Sequence, residues 1–428
     1  MRKREYMNSV PLIALAGMAA LSSATFAQQP GQVAPSGPVD KARPGPSTAG
    51  AGSQSGASPG SGITLKLADV PILIHPSVSV ELQHNDNIYS TPNNKTGDTI
   101  LVLIPALRLE AKHAGTSLKL QLSTSIGRYQ SNTADNYANT TLKGQADIDL
   151  GTRMRARMEA DYVDGVDPRG SNNNPLSDAP DHYRETRGKG VFSYGARAAK
   201  GRLDLELGQV RRKYLNNRAT TEASDRVVDD LGATFNWRIG PKTTILFEGK
   251  HGKVDYSLPG STLGSVETLF QAGGTWDATA KTSGTFRFGM IKKDFDDSAR
   301  GSSTTMSWTG QVRWSPRTYS HVDLILNRAP AETSGGVGNF IDRTSTAARW
   351  AHQWSSRLTT EASASYLTDA YQGVARTDET QNYGVRATFT MRRWLNFGGE
   401  YAHSFRNSDA NNFDYKRNAL TLFLTATL

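Results

Sequence analysis

DYKRNALTLFLTATL, residues 414–428, closes the chain. In it Leu420, Leu422, Leu424, Ala426 and Leu428 alternate with Ala419, Thr421, Phe423, Thr425 and Thr427. A period of two held over about ten residues is the length of a tilted membrane-spanning strand. Such a strand cannot stand alone in lipid, because each unpaired backbone N–H and C=O would lose its hydrogen bond to water. The alternation therefore requires the chain upstream to close a barrel around it.

That alternation recurs along the chain. In 152–162, Met154, Ala156, Met158, Ala160 and Tyr162 oppose Arg153, Arg155, Arg157, Glu159 and Asp161. Similar runs open at 76–84 and centre on Phe192, Leu205, Phe235, Phe247, Ala272, Phe288, Trp308, Leu324, Trp350, Ala362, Ala387 and Phe397. Tight joints, as at 113–115, 240–241 and 315–317, alternate with long polar ones, as at 85–98, 163–183 and 329–340. The pattern predicts an all-β, transmembrane antiparallel barrel of the bacterial outer-membrane type, with about eighteen strands (16–18). Short turns and both termini then face the periplasm. Trp237, Trp276, Trp314, Trp354 and Trp394 fall near short turns, and Tyr129, Tyr162, Tyr214 and Tyr256 near long loops, which predicts two aromatic girdles. In bacterial outer-membrane proteins, which this pattern resembles, the last strand doubles as the assembly signal. Leu424 and Leu428 carry that role here, although such strands commonly end in Phe or Trp.

Composition narrows the function classes. Lys and Arg number 49 against 40 Asp and Glu, a net charge of +9, and cysteine is absent. No disulfide or thiolate metal site is then available. The positive excess is diffuse and lacks a nucleic-acid-binding motif, whereas a positive lumen would attract anions. Mean hydropathy of -0.51 does not oppose a barrel, whose apolar residues occupy alternate positions only. Arg2, Lys3 and Arg4 precede a short apolar core at 10–21, and Thr25-Phe26-Ala27 offers a cleavage site. Residues 1–27 thus read as a signal peptide. Residues 28–75 form a periplasmic segment, disordered where Pro, Gly and Ser dominate, and 76–428 the barrel. Within that segment 64–74 has strand character interrupted at Pro71, suiting a periplasmic arm or a plug entering the lumen.

The opening strand runs into Asn85-Asp86-Asn87-Ile88-Tyr89, then a polar loop and a second strand marked by Pro105. This arrangement resembles the family called putative beta-barrel porin 2, whose members often accompany exopolysaccharide or capsule export systems. The resemblance implies a barrel over 76–428, periplasmic export components and polysaccharide as partners, and a family-like turn at Asp86 and Asn87. From the residues alone, Asp86 and Asn87 suit side-chain capping of a turn.

The polar sides of the strands carry charge, which alternation places inside the barrel, away from lipid. Candidate permeation residues are Arg153, Arg155, Arg157, Glu159, Asp161, Arg287 and Arg386. Three arginines at alternate positions repel one another and require acidic neighbours or an anionic ligand. Constriction is expected from the loop in 163–183, whose Asp164, Asp167, Asp178 and Asp181 could hold a cation weakly without matching a calcium-binding motif. No nucleophile elbow, phosphate loop or zinc-protease motif occurs, so no catalytic, cofactor or metal residue is assigned. The expected partners are outer-membrane lipid and the barrel assembly machinery. The expected function is a conduit in polysaccharide export, the alternative a diffusion porin for small solutes, anions among them.

Overall fold

The computed structural model describes residues 62–67, 70–171, 176–279, 281–334 and 337–428. The expected signal peptide and most of the segment that follows it lie outside the described residues. The strands are β1 Ile63–Leu67, β2 Val70–Asn85, β3 Asp98–His113, β4 Thr116–Tyr129, β5 Tyr137–Asp149, β6 Met154–Asp167, β7 Asp181–Tyr194, β8 Gly201–Tyr214 and β9 Arg226–Gly240. They continue as β10 Thr243–Tyr256, β11 Ser265–Thr279, β12 Thr282–Phe295, β13 Ser302–Arg317, β14 Ser320–Ala331, β15 Phe340–Gln353, β16 Leu358–Gln372, β17 Arg376–Arg392, β18 Leu395–Ser408 and β19 Tyr415–Thr427.

From β2 to β19 each strand pairs antiparallel with the next. β19 then returns to β2, with Leu424 opposite Val80 and Thr427 opposite Ser77. The ring leaves no open edge, which is what a strand in lipid demands. Short joints work because their backbone matches the strand twist. Between β3 and β4, Ala114 and Gly115 both take positive φ (44° and 82°), the mirror-image turn that a two-residue hairpin prefers.

β1 lies outside the ring. It pairs with the start of β2, Lys66 opposite Pro71, on the edge that β19 leaves once it has ended. The expected interruption at Pro71 and the plug reading of 64–74 are therefore corrected. Residues 63–67 and 70–74 pair antiparallel and continue the wall, and the first strand of the ring starts at Val70. Their outer face, Ile63, Leu65, Leu67, Ile72 and Ile74, prolongs the apolar side of β2.

Facing follows the alternation. On β19, Leu420, Leu422 and Leu424 are 53, 56 and 46% exposed to the lipid side, while Phe423 between them is buried inside. Thr425 also points inward and shares a hydrogen bond of 2.7 Å with Ser79. Trp237, Trp314, Trp354 and Trp394 are exposed at the short-turn ends, where amphipathic rings meet headgroups. The opposite girdle does not form as expected. Tyr162 faces outward, but Tyr214 is buried and donates inward to Asp167 at 2.8 Å. Tyr256 donates inward to Glu332 at 2.5 Å, and Tyr129 lies level with the inward Ile100. Strand parity explains this: Leu203, Leu205 and Leu207 on β8 are odd-numbered, so an even-numbered tyrosine on that strand must point to the other side.

Candidate functional site

The lumen wall is built where charged residues of neighbouring strands meet in register. On β6, Arg155, Arg157, Glu159 and Asp161 face inward. Arg157 stands opposite Asp147 of β5 and pairs with it at 2.6 Å. Glu159 lies between Gln145 and Lys189, and Asp161 between Lys143 and Arg187. Arg153 stands apart from them. It precedes β6 in the exposed turn, so the strand carries two arginines of the expected ladder of three. Arg287 on β12 binds Glu248 at 3.2 Å. Arg386 on β17 binds Glu400 at 2.9 Å and lies 3.9 Å over the Phe423 ring. These two belong to other sectors of the wall and do not join the β6 charges in one site.

Toward the long loops the inward charges become buried and paired. Lys293 is 1% exposed and reaches Glu267 at 2.8 Å and Glu332 at 2.7 Å. Arg212 meets Asp167 at 3.0 Å and lies 3.8 Å over the Tyr183 ring. Arg343 meets Asp369 at 2.6 Å, and Asp378 accepts from Arg376 at 2.5 Å with Arg406 at 3.4 Å. Charges this deeply buried persist only with close partners, because removing one leaves the other unpaired. The four aspartates of 163–183 do not gather into one site. Asp167 and Asp181 stand in register, both facing inward, with Asp181 accepting from Asn217 at 2.7 Å, whereas Asp164 accepts outward from Arg184 at 2.7 Å. Among the described residues no group of three or more His, Asp or Glu is placed to hold a metal ion.

The residues that follow β6, 168–171, lie against the inside of the barrel. Pro168, Arg169 and Ser171 line a small cavity together with Gln83, Ile100 and Arg417. Arg169 donates to Asp135 through Nη2 at 2.5 Å and through Nε at 2.8 Å, and also to the Tyr89 hydroxyl. The Tyr89 hydroxyl donates to Asp135 at 2.8 Å. Burial, then Asp135 beside it, push the Tyr89 hydroxyl up to about 12. Gly170 has φ 71°, and a Cβ there would sit 2.1 Å from the Tyr89 carbonyl oxygen. The turn needs glycine on both counts.

Asp86 and Asn87 close the seam between the first and last barrel strands. The Asp86 carboxylate accepts from the Asn418 backbone N–H and from its side-chain amide, each at 2.7 Å. Asn87 donates to the carbonyls of Thr91 at 2.8 Å and Lys416 at 3.1 Å. Asn87 caps its turn, its amide oxygen accepting from the Thr91 backbone N–H at 3.0 Å, whereas Asp86 caps no turn among the described residues and reaches the far end of the chain instead.

Toward the short turns the wall is more open. Lys119 and Lys143 face inward and are exposed, and Arg155 is half-buried. Among the described residues none of the three makes an ion pair. Sequence reading missed the interior contacts of Arg169, Lys293 and Glu332. Parity marks Lys293 as inward, since Phe286, Phe288 and Met290 face out, but nothing in the pattern identifies its partner in a loop.

The family model described as Putative beta-barrel porin 2 matches residues 72–428. Among solved structures the chain is similar to the outer membrane protein OpdK of Pseudomonas aeruginosa, at 11% identity and TM-score 0.47, covering 83% of this chain and 99% of that one. It is similar to OccK2 (OpdF) of the same organism at 13% identity and TM-score 0.47, over 83% and 98% of the two chains. A BenF-like porin of Pseudomonas fluorescens Pf-5 is similar at 11% identity and TM-score 0.46, over 83% and 99%. No curated protein matches. With a family model spanning all but the first two residues of its strand ring, this outer-membrane β-barrel belongs to the family Putative beta-barrel porin 2.

Proposed function

We propose that the barrel is a passive, non-enzymatic outer-membrane pore for small polar solutes, with anions favoured at its short-turn mouth. Both termini and the short turns lie in the periplasm, and the long loops face outward. One observation carries the reading: Lys119, Lys143 and Arg155 line the open half of the wall without ion pairs, while the loop-side half is a buried, paired layer with Pro168, Arg169 and Ser171 set against it. Lys143 stands in register with Asp161 and Lys119 with Glu110, but no carboxylate among the described residues touches either ammonium, and exposed cations in a water-filled wall raise the local concentration of anions. A buried polar layer narrows the path, which suits small solutes better than a polymer. Polysaccharide export stands second. It would require the loops to withdraw, and the resemblance to families near export systems is its support.

Liposome swelling tests the reading. Proteoliposomes should swell in small sugars and small carboxylates and fail to swell in long oligosaccharides. Rapid swelling in long oligosaccharides would favour the export conduit, and no swelling in any solute would refute a passive pore.

A further inference from the structure

The outer face of β8 presents Leu203, Leu205, Leu207, Gln209, Arg211 and Lys213 in order toward the long-loop end. The three leucines are 38, 44 and 60% exposed, as lipid-facing residues should be. The apolar band therefore ends between Leu207 and Gln209, and two cations follow at the level where headgroups begin. Register sets Lys213 directly opposite Arg184 of β7, and Arg211 opposite Thr186. Directly opposed side chains start about 5 Å apart, and alternate ones on a strand about 7 Å. Three cations thus share one exposed patch, and like charges so placed destabilise a sheet.

Among the described residues, Arg128 on β4 and Lys416 on β19 also face outward near the loop ends without an ion pair, but each stands singly. The other outward cations there have their own acids. Lys253 has Asp255 at 2.8 Å, Lys292 has Asp294 at 2.8 Å, and Arg328 has Asp342 at 2.7 Å. Asp164 serves Arg184 at 2.7 Å, and Asp229 on β9 accepts from Gln209 at 2.8 Å. Among the described residues Arg211 and Lys213 make no ion pair. Two positive charges therefore stand uncompensated at the membrane edge. A phosphate monoester carries about −1.5 to −2 at neutral pH, and the arginine fork binds such a group with two parallel hydrogen bonds.

We propose that Arg184, Arg211 and Lys213 form a binding site for the phosphate of an anionic glycolipid headgroup in the outer leaflet. The site rests on the orientation given above, with the long loops outside. The lipid phosphate completes the charge pattern of the β7–β8 face, and its acyl chains run down the leucines of β8.

Native mass spectrometry of the full barrel in micelles tests this, using diphosphorylated lipid A, the same lipid dephosphorylated, phosphatidylglycerol and inorganic phosphate. The native protein should retain diphosphorylated lipid A. The Arg211→Gln/Lys213→Gln variant should retain about tenfold less, as expected for losing two cations near a charged surface. Lys253→Gln/Lys292→Gln removes as much positive charge from paired positions and should bind like the native protein. Undiminished retention by Arg211→Gln/Lys213→Gln overturns the proposal, as does equal retention of the dephosphorylated lipid. Binding of inorganic phosphate or phosphatidylglycerol as tight as that of lipid A overturns its assignment to an outer-leaflet glycolipid. If the double variant does not fold, Lys213→Gln is read against Lys253→Gln by the same criteria. Bilayer conductance of the double variant should equal the native value, because these side chains face away from the lumen. A native protein that binds lipid A without conducting would sink the pore reading and leave the site standing.

Discussion

The guanidinium of Arg169 lies 2.5 Å from the carboxylate of Asp135, joining the loop after β6 to the loop after β4 inside the barrel mouth. Tyr89, from the loop after β2, completes the contact. Three loops are thereby tied at one point, on the side where the interior is already most crowded.

Replacing Arg169 by Ala should release this point and raise single-channel conductance or its open-state noise, with the barrel still folded. The Tyr89 hydroxyl, pushed up to about 12, keeps its proton across the usual working range. Its contribution is fully present below the ordinary phenol value near 10 and is lost as pH rises through about 12. Conductance of the native protein should therefore show no step from Tyr89 between neutral pH and that value. A conductance trace unaltered by Arg169→Ala would remove the loop from the constriction.

Leu424→Arg should cost about 2–4 kcal/mol if the side chain sits near the bilayer midplane. Thr425→Lys, on the lumen side of the same strand, should cost much less. Heat-modifiability gels on outer-membrane fractions compare the two. Equal amounts of folded protein would contradict the register of β19. Removing Leu428 should slow assembly more than it weakens the finished barrel, since only its backbone N–H bonds Pro76, at 3.1 Å.

Asp86→Ala removes two hydrogen bonds to Asn418 at the seam and leaves a strand backbone group unsatisfied. The expected loss is about 1–3 kcal/mol, seen as a lower unfolding temperature on the same gels. A change confined to conductance would give Asp86 a role other than closure.

Lys293→Met would leave Glu267 and Glu332 buried together without their shared cation. About 3–5 kcal/mol of destabilisation is expected, and Lys293→Met combined with Glu332→Gln should recover part of it. No recovery would mean that Lys293 acts through packing alone.

Strand number and facing were legible because period-two alternation survives in nearly every strand. The eighteen strands of the ring needed nothing beyond that pattern. The tyrosines show where position along a strand misleads: Tyr129, Tyr214 and Tyr256 stand at the right height for a girdle, yet their parity turns them inward. Arg153 illustrates the reverse, having the parity of a lumen residue but lying beyond the strand end, in a turn. The interior network was not legible because its partners come from loops, where no period exists. Glu332 reaches Lys293 from a loop, and Arg169 reaches Asp135 across 34 residues of sequence. Hydrophobic patterning sets which way a residue points, and not which charge it meets.

Planar-bilayer recording of reversal potentials tests the central claim most directly. The native protein in a salt gradient should form a stable pore favouring the anion. Replacing Lys119, Lys143 and Arg155 together by Gln should bring the reversal potential toward zero or to cation preference, with the barrel still folded. A native pore that favours cations, or one whose reversal potential is unchanged by the triple substitution, would contradict the account.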